Sequence, residues 1–286
     1  MNIFGKVLAL CFFQANVWGT MAFFLKAPRA SSIVLRSSST VEEEMFPVDL
    51  SFETMQGGKT VRTYELPGWA ERVQYVIKSN GRPVKANVGL WLGPQRQTHN
   101  MDVDLQDGSV TPFQATLKFK LGPPTLKIIS GESFAFPITV AVSVPSAQRS
   151  KELGANTEKV WAMSEKTVVQ GGSVEGSGGA IRTFPVAADV DSVQVLFWSK
   201  DTSKKSLKAT IEVLQGPNTK KQVYNLACGG GSQPYHCVIQ TPGPGYQLRV
   251  INNKYVEDGL FQVAVVPYKY ADAGAMLNPT KLWYEN

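Results

Sequence analysis

Histidine and cysteine are scarce in this chain, with two of the first and three of the second among 286 residues. A zinc site or a disulfide framework needs such residues clustered at ligand or bridge spacing. His99 and His236 occupy non-equivalent positions, and Cys228 and Cys237 stand in one half of the chain only. No metal and no cofactor is therefore expected, and the two cysteines read as idle thiols. Catalytic signatures are missing as well. There is no Gly-x-Ser-x-Gly elbow for a nucleophile, and "GGSVEGSGG" lacks the Lys-Ser/Thr ending of a phosphate loop. Asp102, Asp104 and Asp107 in "MDVDLQDG" resemble a carboxylate cluster, but the first two alternate with Met101, Val103 and Leu105, which makes them the solvated face of a strand. The chain does not read as an enzyme.

Acidic residues are absent before Glu42, whereas Lys6, Lys26, Arg29 and Arg36 all precede it. The apolar run "VLALCFF" is too short to span a bilayer and matches a signal-peptide core, and the Arg/Ser-rich stretch after it has transit-peptide composition. Residues 1–40 therefore read as two targeting signals in tandem. Phe23 and Phe24 stand at the junction, an order that resembles the bipartite presequence of algae whose plastid lies inside extra membranes. A single long secretory signal leaves the Arg/Ser-rich stretch unexplained. The excess of 29 basic over 23 acidic residues comes largely from this segment. The remainder is nearly neutral, without the clustered Lys/Arg that nucleic-acid binding requires.

What the sequence does contain is a duplication. Arg62-Thr63-Tyr64 recurs as Arg182-Thr183-Phe184, Gly93-Pro94 as Gly216-Pro217, Pro112-Phe113 as Pro234-Tyr235, and Leu126-Lys127-Ile128-Ile129 as Leu248-Arg249-Val250-Ile251. Order and spacing persist over so many positions that chance is excluded. Within each copy the apolar period is two, broken by turn signals such as Asn80-Gly81 and Gly93-Pro94. About seven short strands per copy predict an all-β protein of two tandem antiparallel β-sandwich domains related by a pseudo-twofold. The expected boundaries are 41–145 for the first repeat, 146–172 for a linker with one short helix, 173–267 for the second repeat, and 268–286 for a C-terminal tail.

Two groups of residues are candidates for contact, and a third is structural. Trp91 and Trp198 stand on the polar phase of their strands, where a tryptophan can stack on a sugar, anchor a protein interface, or lie under the linker. Leu282, Trp283 and Tyr284 end a tail that the duplication does not explain, and they are expected to dock on a neighbouring molecule. Arg62, Arg182, Gly93, Pro94, Gly216, Pro217, Pro112 and Pro234 are the repeat-equivalent structural positions.

The stretches "RTYELPGWAERVQYVIKSNGRPVKANVGLWLGP" and "HNMDVDLQDGSVTPFQATLKF", with their echoes in the second copy, resemble the diatom pyrenoid shell proteins. The resemblance spans both repeats and weakens in "NTKKQVYNLACGGGSQPYHC". It implies a plastid-stromal protein at the pyrenoid periphery that assembles with itself, and with paralogous shell proteins, into a sheet around the Rubisco matrix and so helps retain CO2. Rubisco would be adjacent, and no membrane span is implied. The competing expectation is a plastid β-sandwich module that binds a carbohydrate or another small ligand through Trp91 or Trp198.

Overall fold

The alternation of apolar and polar residues resolves into sixteen strands and one helix among the described residues. The computed structural model describes residues 44–119, 122–169, 181–199, 206–229, 234–254 and 260–271. The targeting segment 1–40 and the tail residues Leu282, Trp283 and Tyr284 lie outside them. The first repeat supplies β1 (Glu53–Met55), β2 (Val61–Glu65), β3 (Arg72–Lys78), β4 (Val84–Leu92), β5 (Arg96–Leu105), β6 (Phe113–Lys118), β7 (Thr125–Ser130) and β8 (Ile138–Ser143). Helix α1 (Ala147–Met163) follows. The second repeat supplies β9 (Thr167–Val169), β10 (Ile181–Pro185), β11 (Val190–Trp198), β12 (Leu207–Gln215), β13 (Thr219–Cys228), β14 (Tyr235–Gln240), β15 (Tyr246–Asn252) and β16 (Phe261–Tyr270).

These strands form two eight-stranded sheets, and every pairing within them is antiparallel. The first runs β1-β8-β3-β6-β14-β11-β16-β9 and the second β10-β15-β12-β13-β5-β4-β7-β2. Exchanging each strand for its counterpart in the other repeat reverses both orders without changing them, which is the signature of a pseudo-twofold. The axis passes where a residue faces its own equivalent: Asp102 opposite Asn225 in β5–β13, and Ala115 opposite Cys237 in β6–β14. The repeats thus meet edge to edge inside shared sheets. A single apolar core fills the space between the sheets and draws on both repeats, with Val73, Tyr75 and Phe113 from one and Val195, Phe197, Tyr224 and Tyr235 from the other. Burying each such side chain stabilises the fold by roughly 1.5–3 kcal/mol.

Turn chemistry repeats with the strands. Gly93 and Gly216 both adopt a left-handed backbone, at φ of 63° and 68°, which costs a glycine nothing. Pro94 and Pro217 follow them. Pro112 and Pro234 immediately precede β6 and β14, where no ladder N–H is needed.

The linker holds a longer helix than its composition led us to expect. The Ser146 hydroxyl accepts a hydrogen bond from the Arg149 N–H at 3.2 Å and caps α1. The buried residues Ser150, Leu153, Thr157 and Trp161 then recur at helical spacing and fix one face of α1 against the outer side of the first sheet. Leu153 joins Val76, Ala141 and Val238, while Trp161 joins Leu196, Trp198 and Ala264. The helix therefore straps strands of both repeats together.

Candidate assembly surfaces

The two histidines and Cys237 are buried and held neutral. His236 lies between the first sheet and α1, with its Nδ1 3.3 Å from the Thr157 hydroxyl and its Nε2 3.1 Å from Gln194 Oε1. Burial pulls its pKa down to about 3, and the Arg72 guanidinium adds to the effect. His99 stacks on Tyr235 with ring centroids 5.3 Å apart, and burial brings it to about 3 as well. It sits opposite Cys228 across β5–β13 at the floor of a cleft of about 840 Å³ rimmed by Arg96, Lys208 and Lys254. Cys237 is buried on the pseudo-twofold, and burial pushes its thiol up. Among the described residues no group of three or more His, Cys, Asp and Glu side chains is arranged to hold a metal ion.

Arg72 is the main buried cation, at 5% exposure. Its Nε donates to the Ser150 carbonyl of α1 at 3.0 Å. Gly154 makes room for it, because a Cβ at that position would meet Arg72 Nη2 at 2.8 Å. This is a polar rivet between helix and sheet.

The two sequence-predicted tryptophans fare differently. Trp198 is only 7% exposed, because α1 covers the outer face of its sheet and Trp161 packs on it with centroids 5.5 Å apart. The expectation of an open contact residue is corrected to a place beneath the linker helix. Trp91 is half-buried on the outer face of the second sheet. Its indole lies across Gly89, where a Cβ would come within 2.8 Å of Nε1. In the second repeat the equivalent of Gly89 is Glu212, which is buried and ion-paired with Lys220 and Arg249. Burial raises its carboxyl, but hydrogen bonds from these two cations outweigh that and bring it below the usual range. The two copies therefore present different chemistry at matching places.

The first sheet is covered by α1 and by Met45 and Phe46, whereas no described helix lies on the second. Across the second sheet, residues in register form a row through the pseudo-twofold: Val61, Ile129, Asn87, Asp102, then Asn225, Thr210, Ile251, Ile181. In the middle, Asn87 donates to Asp102 and the Thr210 hydroxyl to Asn225, each at 2.7 Å. At each end stands a β-branched pair, with Val61 43% and Ile181 52% exposed. The row ends on β2 and β10, the two edge strands, which carry the repeat-equivalent Arg62 and Arg182. Sequence reasoning marked these arginines as structural and did not see that they occupy opposite margins of one sheet.

Residues 46–267, which include both repeats, match the family model described as diatom pyrenoid shell protein. No curated protein matches the chain. Among solved structures it is similar to a chain in the atomic structure of Sulfolobus turreted icosahedral virus, at 10% identity and a TM-score of 0.21, covering 81% of this chain and 99% of that one. It is also similar to A223, a turret protein of that virus, at 10% identity and a TM-score of 0.20, covering 79% and 100%.

Proposed function

The chain belongs to the diatom pyrenoid shell protein family, and on that premise we propose that it is a structural, non-enzymatic protein that assembles with copies of itself into the sheet encasing the Rubisco matrix of the pyrenoid. It would act in the chloroplast stroma, delivered there by residues 1–40, and support carbon fixation by limiting the escape of CO2. The observation that carries the reading is the span of the family match, which takes in both repeats. The fold supports it physically. A pseudo-twofold body offers nearly the same edges on opposite sides, which gives one chain the valency that a lattice needs. The neutral, buried state of His99 and His236 and the raised thiol of Cys237 support a non-catalytic role. No described helix is long and apolar enough to cross a membrane.

The tail residues Leu282, Trp283 and Tyr284 are proposed as a further anchor, since aromatic side chains dominate interface energetics. Trp91 remains a candidate contact on the sheet that no described helix covers. Paralogous shell proteins are proposed as co-assembling partners, with Rubisco adjacent. Negative-stain microscopy of the purified chain tests the reading: sheets or tubes are expected, and a chain that stays monomeric at high concentration refutes it.

A further inference from the structure

The second sheet ends in two strands that are each other's counterparts. Among the described residues, nothing pairs with the outer side of β2 or of β10. Such an edge presents unpaired N–H and C=O groups and templates pairing with another chain unless it is blocked. The hydrogen-bond phase fixes which groups point outward. The Ser130 N–H donates to the Thr60 carbonyl and the Leu66 N–H donates to Pro124, so the even-numbered residues of β2 bond inward to β7. Val61, Thr63 and Glu65 then face out. On the other margin the Val186 N–H donates to Tyr246, so Arg182 and Phe184 bond inward to β15 while Ile181, Thr183 and Pro185 face out.

We propose that the β2 edge of one molecule pairs antiparallel with the β10 edge of the next, making the second sheet continuous from copy to copy. The inference rests on the shell reading above and adds the contact that propagates it. Geometry supplies the first argument. The sheet has eight strands in strict antiparallel alternation, so β2 and β10 run in opposite directions. A copy presenting its second sheet the same way round therefore brings its β10 alongside β2 antiparallel, with the rotation between copies set by the twist that the sheet accumulates across its strands. A heterologous contact of this kind repeats from copy to copy, in an open array wherever the rotation does not close a ring.

Side-chain complementarity supplies the second. With Thr63 opposite Thr183, Arg62 falls opposite Phe184 and Tyr64 opposite Arg182. Each pair sets a guanidinium against an aromatic ring, a favourable cross-strand match. The Tyr64 hydroxyl donates to Glu53 of β1, and Arg62 Nε lies 3.6 Å from the same carboxylate. The incoming Arg182 thus arrives beside an acidic group, whereas on its own molecule its guanidinium donates to the Ile181 carbonyl at 3.1 Å. This charge match favours β2 against β10 over β10 against its own copy, because Glu53 belongs to the β2 margin. Pro185 removes only one outward N–H from the seam.

The test uses two single-edge variants of the full chain. Thr63→Pro and Thr183→Pro each delete an outward N–H that the sheet itself does not use, so folding is retained. Analytical ultracentrifugation and negative stain then read assembly against a wild-type chain that forms sheets or tubes. Neither variant alone is expected to form sheets or tubes, whatever contact the tail still makes, and an equimolar mixture is expected to add a species, joined at the one intact β2 and the one intact β10, that neither variant forms alone. Dimers of either variant alone that the Thr63→Pro/Thr183→Pro double variant loses overturn the β2–β10 assignment in favour of self-paired edges. Full assembly by either variant overturns the edge contact while leaving the shell reading intact. A wild-type chain that never assembles overturns both. If a proline variant fails to match the wild-type circular dichroism, Arg182→Glu replaces it, since it sets a carboxylate against Glu53 on an exposed strand. It is expected to abolish assembly, and unchanged assembly by it refutes the contact.

Discussion

Truncating Trp161 to alanine tests the role of α1 as a strap. The ring is 5% exposed and packs on Leu196, Trp198 and Ala264 of the second repeat, while Leu153, two turns earlier, packs on Val76 and Ala141 of the first and Val238 of the second. Removing a buried tryptophan costs about 3–5 kcal/mol in transfer and cavity terms. For a unit of this size each kcal/mol shifts the midpoint by about 2–4 °C, so Trp161→Ala should lower the Tm by roughly 6–20 °C. Differential scanning calorimetry reads the shift. A double-mutant cycle with Trp198→Ala isolates the ring pair, expected to couple by about 0.5–1.5 kcal/mol. A Tm within about 2 °C of wild type, equivalent to about 0.5–1 kcal/mol by the same scaling, refutes the strap and returns α1 to a passive linker.

Val193→Asp places an unpaired charge in the shared core, where Val193 is 3% exposed, and should cost several kcal/mol in urea unfolding; an unchanged midpoint contradicts the placement of β11. Gly154→Ala should push the Arg72 guanidinium off α1 and destabilise by about 1–3 kcal/mol, with Arg72→Met in the same background abolishing most of the difference. Because His236 and His99 have folded pKa values of about 3, below the ordinary 6.5, the unfolded state binds more protons between those limits. Each histidine should therefore remove about 2 kcal/mol of stability as pH falls from 7 to 5. His236→Gln should flatten the pH dependence measured by chemical denaturation, and an identical slope refutes its neutral burial. Replacing Phe23 and Phe24 with alanine should stall delivery before the stroma; normal delivery removes the argument from that pair.

Strand positions, the pseudo-twofold and the equivalent glycine turns were legible because each leaves a local mark: alternation at period two, and Gly93-Pro94 recurring as Gly216-Pro217. The fusion of the repeats was not, since the pairing of β5 with β13 joins residues far apart in sequence and writes nothing into either strand. Trp198 looked available because its phase is outward. Its cover comes from the linker, where Leu153, Thr157 and Trp161 at four-residue spacing after a Ser146 cap were the readable signal. The edge positions of Arg62 and Arg182 likewise depend on strand order, which a duplicated sequence alone does not reveal.

A fluorescently tagged copy expressed in a diatom tests the shell assignment most directly. A closed rim of signal around the Rubisco matrix is expected, persisting when the cell is imaged through its depth. Diffuse stromal fluorescence, or signal filling the matrix itself, contradicts it.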